Sequence, residues 1–245
     1  SENAYHVLIV ADLTSASIID GFTIKGGHAD GSSYLSYSGY TIFRNYGAGG
    51  NLRVADMVVS NCIFMENKSK FNGGAIFNYE GSSSYTNCLF IKNKSDSSTS
   101  GGAMYFQNSS ITITNCTFSG NYATTGSAIS NNNSNTAIAN TIVWGNGEGV
   151  CITNYSSTPT FKNSLVEGSG GSNNWNSSYG TDNGNNIDTD PLFVNAAGGD
   201  FKLSSSSPAL DVGDNNSIPS GITTDLANNT RIQNTTVDMG AYEGG

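Results

Sequence analysis

Three aspartates, Asp182, Asp188 and Asp190, crowd a stretch rich in Asn, Gly and Ser. Oxygen-rich loops bind Ca²⁺, so a calcium site is one expectation for them. The other is that each carboxylate accepts hydrogen bonds from nearby backbone N–H groups, the usual work of Asp at a turn. Lys68 and Lys94 recur at one repeat position, an array suited to an anionic ligand, and Glu66 and Lys92 recur at another, where a cross-strand pair is expected. A glycoside hydrolase needs two carboxylates at a set separation. A lyase needs a base beside a neutralised uronate. No set of charges in the sequence meets either demand, and no catalytic residue is assigned. His6 and His28 match no triad or metal spacing and read as edge or loop residues. The aromatic candidates are Tyr34, Tyr37 and Tyr40, with Phe43 and Tyr46 close by, and Trp175 with Tyr179. Their faces suit sugar rings; the alternative is that they pack down as lids over the core.

The elements that must hold these residues follow from a repeat. Asn61-Cys62-Ile63-Phe64 is followed by Asn67, Asn87-Cys88-Leu89-Phe90 by Asn93, and Asn115-Cys116-Thr117-Phe118 by Asn121. Weaker copies begin at Asn140 (with Asn146) and Asn163, and an early one at Gly21. The steps from Asn61 onward are 26, 28, 25 and 23 residues. A second motif recurs in phase: Gly73-Gly74-Ala75, Gly101-Gly102-Ala103 and Gly126-Ser127-Ala128. No stretch shows a 3.6-residue apolar stripe. Short strand-like runs in a period near 25 residues predict an all-β fold, a right-handed parallel β-helix of roughly 23–28 residues per coil. Six or seven coils at about 4.8 Å each would make a column roughly 30 Å tall. The Asn or Gly opening each copy suits the left-handed conformation of a sharp bend, and stacked Asn side chains can form a ladder. Coils span 1–186, with insertions at 28–48 and 168–186 that contribute no core column; 187–245 reads as a final coil and capping segment of the same domain.

Alternation about the bend predicts three inward columns: Val59, Tyr85, Ile113, Ile138, Phe161; then Cys62, Cys88, Cys116, Thr141, Ser164; then Phe64, Phe90, Phe118, Val143, Val166. An even cysteine count invites disulfides. Three cysteines in one column cannot all pair, although one vertical bridge fits the rung spacing. Cys151 lies on another strand, and free buried thiols are favoured. The same alternation turns Ile63, Met65, Leu89, Ile91, Ile142 and Trp144 outward. So many apolar side chains form a patch of a size that signals interaction. It is covered either by a second chain, in self-association, or by the segment after Asp190.

Composition narrows the function. The chain has 245 residues, 12% charged and 10% aromatic, with a net charge of −9. An acidic surface disfavours nucleic acid, and no apolar run is long enough to span a membrane. The sequence opens at Ser1 with no leader, as an exported and trimmed protein would.

The repeats resemble those of parallel β-helix proteins of bacterial surfaces, including the polymorphic outer-membrane type, most closely at Asn115-Cys116-Thr117-Phe118-Ser119-Gly120-Asn121. Asn186–Phe193, Ser207-Pro208-Ala209-Leu210-Asp211-Val212-Gly213 and Val237-Asp238-Met239-Gly240-Ala241-Tyr242-Glu243 resemble the ending of the secreted family called choice-of-anchor Q, and Ala4–Val7 through Phe22 resembles its start. The resemblance implies the fold and an extracellular or cell-surface location; it carries no reaction. The expected function is a non-catalytic structural or adhesive module that binds a glycan or a surface protein, with no cofactor other than the calcium considered above. The alternative is a polysaccharide-active enzyme or carbohydrate-binding domain. Ice binding is remote, because the outward column Asp20, Ser60, Thr86, Thr114, Ala139, Lys162 is too irregular for a threonine array.

Overall fold

The computed structural model describes residues 4–96, 101–147 and 149–244. Its strands form parallel sheets stacked as a β-solenoid of about 4 turns. The first sheet has two halves, joined through the continuous strands Leu8–Asp20 and Gly50–Ser60. Later coils pass through each half in turn, for example Ile76–Tyr79 and then Ser84–Thr86. The second sheet stacks Thr23–Lys25, Ile63–Met65, Leu89–Ile91, Thr117–Ser119, Ile142–Val143 and Leu165–Val166 in that order. The third is short: His28–Ala29, Lys68–Ser69 and Lys94–Ser95, extended by a bridge from Lys94 to Tyr122.

The bends follow residue type where the sequence is Asn or Gly. Gly21, Asn61, Asn87, Asn115, Asn140 and Asn163 all have positive φ, between 44° and 77°. Two further bend columns are less regular in sequence. Asp12, Val54, Glu80, Asn108, Asn133 and Ser156 divide the two halves of the first sheet, and Gly26, Glu66, Lys92, Gly120, Gly145 and Gly168 follow the second sheet. Val54 at φ 48° is an outlier for a β-branched residue.

All three inward columns are buried in the expected register. Phe64, Phe90 and Phe118 stack face to face at centroid distances of 4.9 and 4.7 Å. Cys62, Cys88, Cys116 and Cys151 are free and buried. Desolvation pushes the Cys62 and Cys151 thiols up to about 12. In later coils Thr141 and Ser164 replace cysteine in the column, and their hydroxyls accept the N–H groups of Cys116 and Thr141.

The complete asparagine ladder is the second Asn of each repeat, not the bend residue. Asn67 Nδ2 donates to Asn93 Oδ1 at 3.0 Å, Asn93 Nδ2 to Asn121 Oδ1 at 3.0 Å, and Asn121 Nδ2 to Asn146 Oδ1 at 2.9 Å. Each Nδ2 also donates to a carbonyl one coil back, from Ile24, Phe64, Phe90 or Phe118. The bend ladder is interrupted, joining Asn87 to Asn61 and Asn140 to Asn115, because bend Asn side chains turn instead to the C-terminal segment. Asn87, Asn115, Asn140 and Asn163 donate to the carbonyls of Thr224, Asp238, Asp214 and Val212.

That segment lies on the outward face of the second sheet. Ile142 and Leu165 are buried with Leu203, Ala209 and Met239, and Trp144 packs against them. Leu89 and Ile91 are buried with Phe201, and Ile63, Met65 and Tyr242 pack alongside.

Candidate functional site

The first insertion divides into a lid and a display. Tyr34–Tyr37 and Tyr40–Phe43 form an antiparallel hairpin that pairs Tyr34 with Phe43 and Tyr37 with Tyr40. Ser38 and Gly39 at the turn have φ of 48° and 80°, as a two-residue type I′ turn requires. Ile42 is fully buried, whereas Tyr34 is 63% exposed and Tyr37 50%. Tyr40 is half-buried, and its hydroxyl lies 3.4 Å from Asp12 Oδ1. Two of the expected tyrosines are therefore displayed and one is partly tied down.

The base of the hairpin is rigid. Tyr46 packs on Phe43, Phe71 and Phe77 at 5.3, 5.9 and 5.0 Å, and Phe77 stacks on Tyr105 at 5.7 Å. The Arg53 guanidinium lies over Phe77 at 4.7 Å, Tyr79 at 4.9 Å and Phe43 at 5.6 Å. Such a desolvated cation–π cage is worth about 2 kcal/mol per strong contact. Burial lowers the Arg53 pKa, and the guanidinium stays charged. Asn51 Nδ2 donates to Tyr46 O at 3.1 Å and Phe43 O at 3.4 Å, fastening the returning strand. The sequence reading missed Arg53, Phe77 and Tyr105 as anchors. Their signal is the absence of alternation: in Ile76-Phe77 and Met104-Tyr105-Phe106 both faces are apolar, so the outward face also has to be covered.

The second insertion is a cap rather than a display. Trp175 packs on Phe161 at 5.2 Å and on Tyr179 at 6.5 Å, and its Nε1 donates to Gly180 O. Tyr179 is 5% exposed within the main core cluster. Trp175 is partly buried against that cluster, so both rings add to the core, where the sequence predicts an insertion with no core column. The coil end needs such a plug because the last rung has no neighbour above it.

The charged candidates are engaged locally. Asp182 accepts from Ser172, Gly184 and Asn186, Asp188 from the N–H groups of Gly168 and Gly170, and Asp190 from Leu192 N. These bonds hold the Asp182 carboxyl below the usual range against the opposing effect of burial. Among the described residues no group of three or more His, Cys, Asp or Glu is arranged to hold a metal ion. Lys68 and Lys94 both pair with Asp96, at 2.9 and 3.0 Å, so one carboxylate bridges the two stacked ammonium groups and offsets half of their charge. Glu66 pairs with Lys25 at 3.0 Å and not with Lys92 as expected, since Lys25 occupies the adjacent strand on the other side. His6 Nδ1 lies 3.0 Å from Gly47 O, and burial lowers the ring's pKa. His28 is near Asp30 at 3.9 Å. No described helix is long and apolar enough to cross a membrane.

Set beside known proteins, the chain matches no family model, no curated protein and no solved structure, so the parallel solenoid stands on the geometry itself.

Proposed function

We propose that this chain is a non-catalytic, extracellular adhesive module that binds a surface glycan through its tyrosine hairpin. The observation that carries this reading is the exposure of Tyr34 and Tyr37 on a hairpin whose base is locked by Arg53 and Tyr46. A rigidly mounted aromatic loses little freedom when a ring stacks on it, and loops on rigid scaffolds carry function. The pairing of Lys68, Lys94 and the aspartates with groups of this same chain supports a non-catalytic role. The resemblance of the repeats and of the last sixty or so residues to the choice-of-anchor Q and polymorphic outer-membrane types supports the location.

Glycan-array binding and a polysaccharide-cleavage screen test this on wild type and on the double variant Tyr34→Ala, Tyr37→Ala. Wild type is expected to bind at least one glycan and release no product. The double variant should bind at least tenfold more weakly at an unchanged melting temperature, because neither exposed ring contributes to the core. Turnover of any polymer, or equal binding by the variant, overturns the reading.

A further inference from the structure

We propose that a groove between the second sheet and the antiparallel strands Phe193–Asn195 and Asp200–Leu203 binds a neutral hexopyranose ring of a polysaccharide. This site shares no residue with the tyrosine hairpin and does not rest on it. The groove has a volume of about 480 Å³, within the range of small-ligand sites. Its apolar lining includes Trp144, Phe193 and Phe201, and its polar lining is Lys92, Ser119 and Asp190.

The polar groups have unused capacity. Among the described residues, the Lys92 ammonium, the Ser119 hydroxyl and the Trp144 indole N–H engage no protein partner. Asp190 accepts Leu192 N through Oδ1 at 2.8 Å, which leaves Oδ2 open. Gly145 carries no side chain and lies beside the hydroxyl; a Cβ there would stand 3.4 Å from Ser119 Oγ, in ordinary van der Waals contact. An aromatic wall with three donors and one strong acceptor around it fits a ring that has an apolar face and several hydroxyls. The two charges decide the ligand's own charge. An anionic ring would meet Asp190 and a cationic one Lys92, whereas neutral hydroxyls can donate to the one and accept from the other.

Backbone strain at the same place supports a built site. Lys92 has φ 54° in a bend column that holds glycine at Gly26, Gly120, Gly145 and Gly168. A non-glycine residue there costs about 1–2 kcal/mol. Glu66, the other exception, is tied by its ion pair to Lys25 at 3.0 Å; Lys92 has no such pair among the described residues. Leu192, which lines the groove, also has a positive φ, 52°, and is 41% exposed. Bulky residues held in this region gather at ligand sites.

The chain has 2 tryptophans, so Trp175→Phe leaves Trp144 as the sole indole reporter. This variant is titrated with soluble oligosaccharides of glucose, mannose and galactose, and with oligogalacturonate. Calorimetry on the unaltered chain repeats each titration, so disturbance of the cap by the substitution cannot be mistaken for lost binding. The expected result is a saturable signal with at least one neutral oligosaccharide. It should weaken at least tenfold in Lys92→Met and in Asp190→Asn and persist in the Tyr34→Ala, Tyr37→Ala variant. Absence of saturable binding by every neutral oligosaccharide overturns the proposal. So does tighter binding of oligogalacturonate, or unchanged binding in both charge variants.

Discussion

A buried asparagine is a liability unless every polar atom it carries is satisfied, and Asn93 meets that demand. Its Nδ2 reaches Phe64 O and Asn121 Oδ1, and its Oδ1 receives Asn67 N and Nδ2. Replacing it with Ala leaves several buried partners unmet in neighbouring coils, each worth about 1–3 kcal/mol. Asn93→Ala is therefore expected to lose at least about 3 kcal/mol in denaturant unfolding. Asn133→Gly, at an exposed bend with φ 48°, should change little, because Gly keeps the left-handed conformation. Equal losses would remove the ladder from any special role. The thiols allow a second check at this scale. Cys62 and Cys151, held near 12 by burial, should resist maleimide labelling in the native protein and react rapidly once it is unfolded; rapid native labelling would contradict the inward register. The first bend column was legible because Asn and Gly announce a left-handed residue. The column through Val54 was not, because there the parallel ladders on either side impose the conformation against residue preference.

The element least legible in the sequence is the one that closes the fold. The apolar outward face of the second sheet could be read from alternation; its cover could not, because residues 204–244 contain almost no regular strand and take their shape from packing. A buried ionic knot fixes that cover. Arg231 and the carboxylates of Asp225, Asp238 and Glu243 are all almost fully buried. Arg231 donates to the carbonyls of Asp238 and Gly240 and lies 3.6 Å from Glu243. Burial, only partly offset by Arg231, raises Glu243 to about 7, and burial raises Asp238 as well. A raised carboxyl binds its proton more tightly in the folded state than in the unfolded one. Its stabilising contribution is complete below the unfolded value near 4.5, falls as pH rises, and is gone above about 7, a change of about 3 kcal/mol. Asp214, lowered to about 2 by Lys162 and Ser217, works in the opposite sense: its contribution is present above about 4 and lost as pH falls toward 2. Stability is expected to peak near pH 4–5 and decline toward pH 8. Glu243→Gln should be weaker overall and flatter between pH 4.5 and 7. A variant with the same slope as wild type would place the pH dependence elsewhere.

A solenoid is nearly one-dimensional, each coil touching only its neighbours, so local opening is expected wherever neighbours are missing. The two ends differ. Trp175 and Tyr179 plug the end beyond Phe161. At the other end the strand Leu8–Asp20 pairs on one side only, with Gly50–Ser60, and Ile18 and Phe22 are 71% and 61% exposed. In the middle, the C-terminal segment accepts hydrogen bonds from Asn87, Asn115, Asn140 and Asn163, and so bridges consecutive coils that would otherwise open separately. Amide hydrogen exchange should therefore be fastest in residues 8–25 and slowest in the strands at 84–91 and 112–119, which have coils on both sides and the segment across them. Deleting residues 187–244 should raise exchange in those middle strands toward the rate of the first coil. It should also broaden the denaturation transition, because a clamp spanning several coils is what makes them unfold together. If the middle strands keep their protection after the deletion, coil stacking alone holds them, and the segment serves only to cover an apolar face.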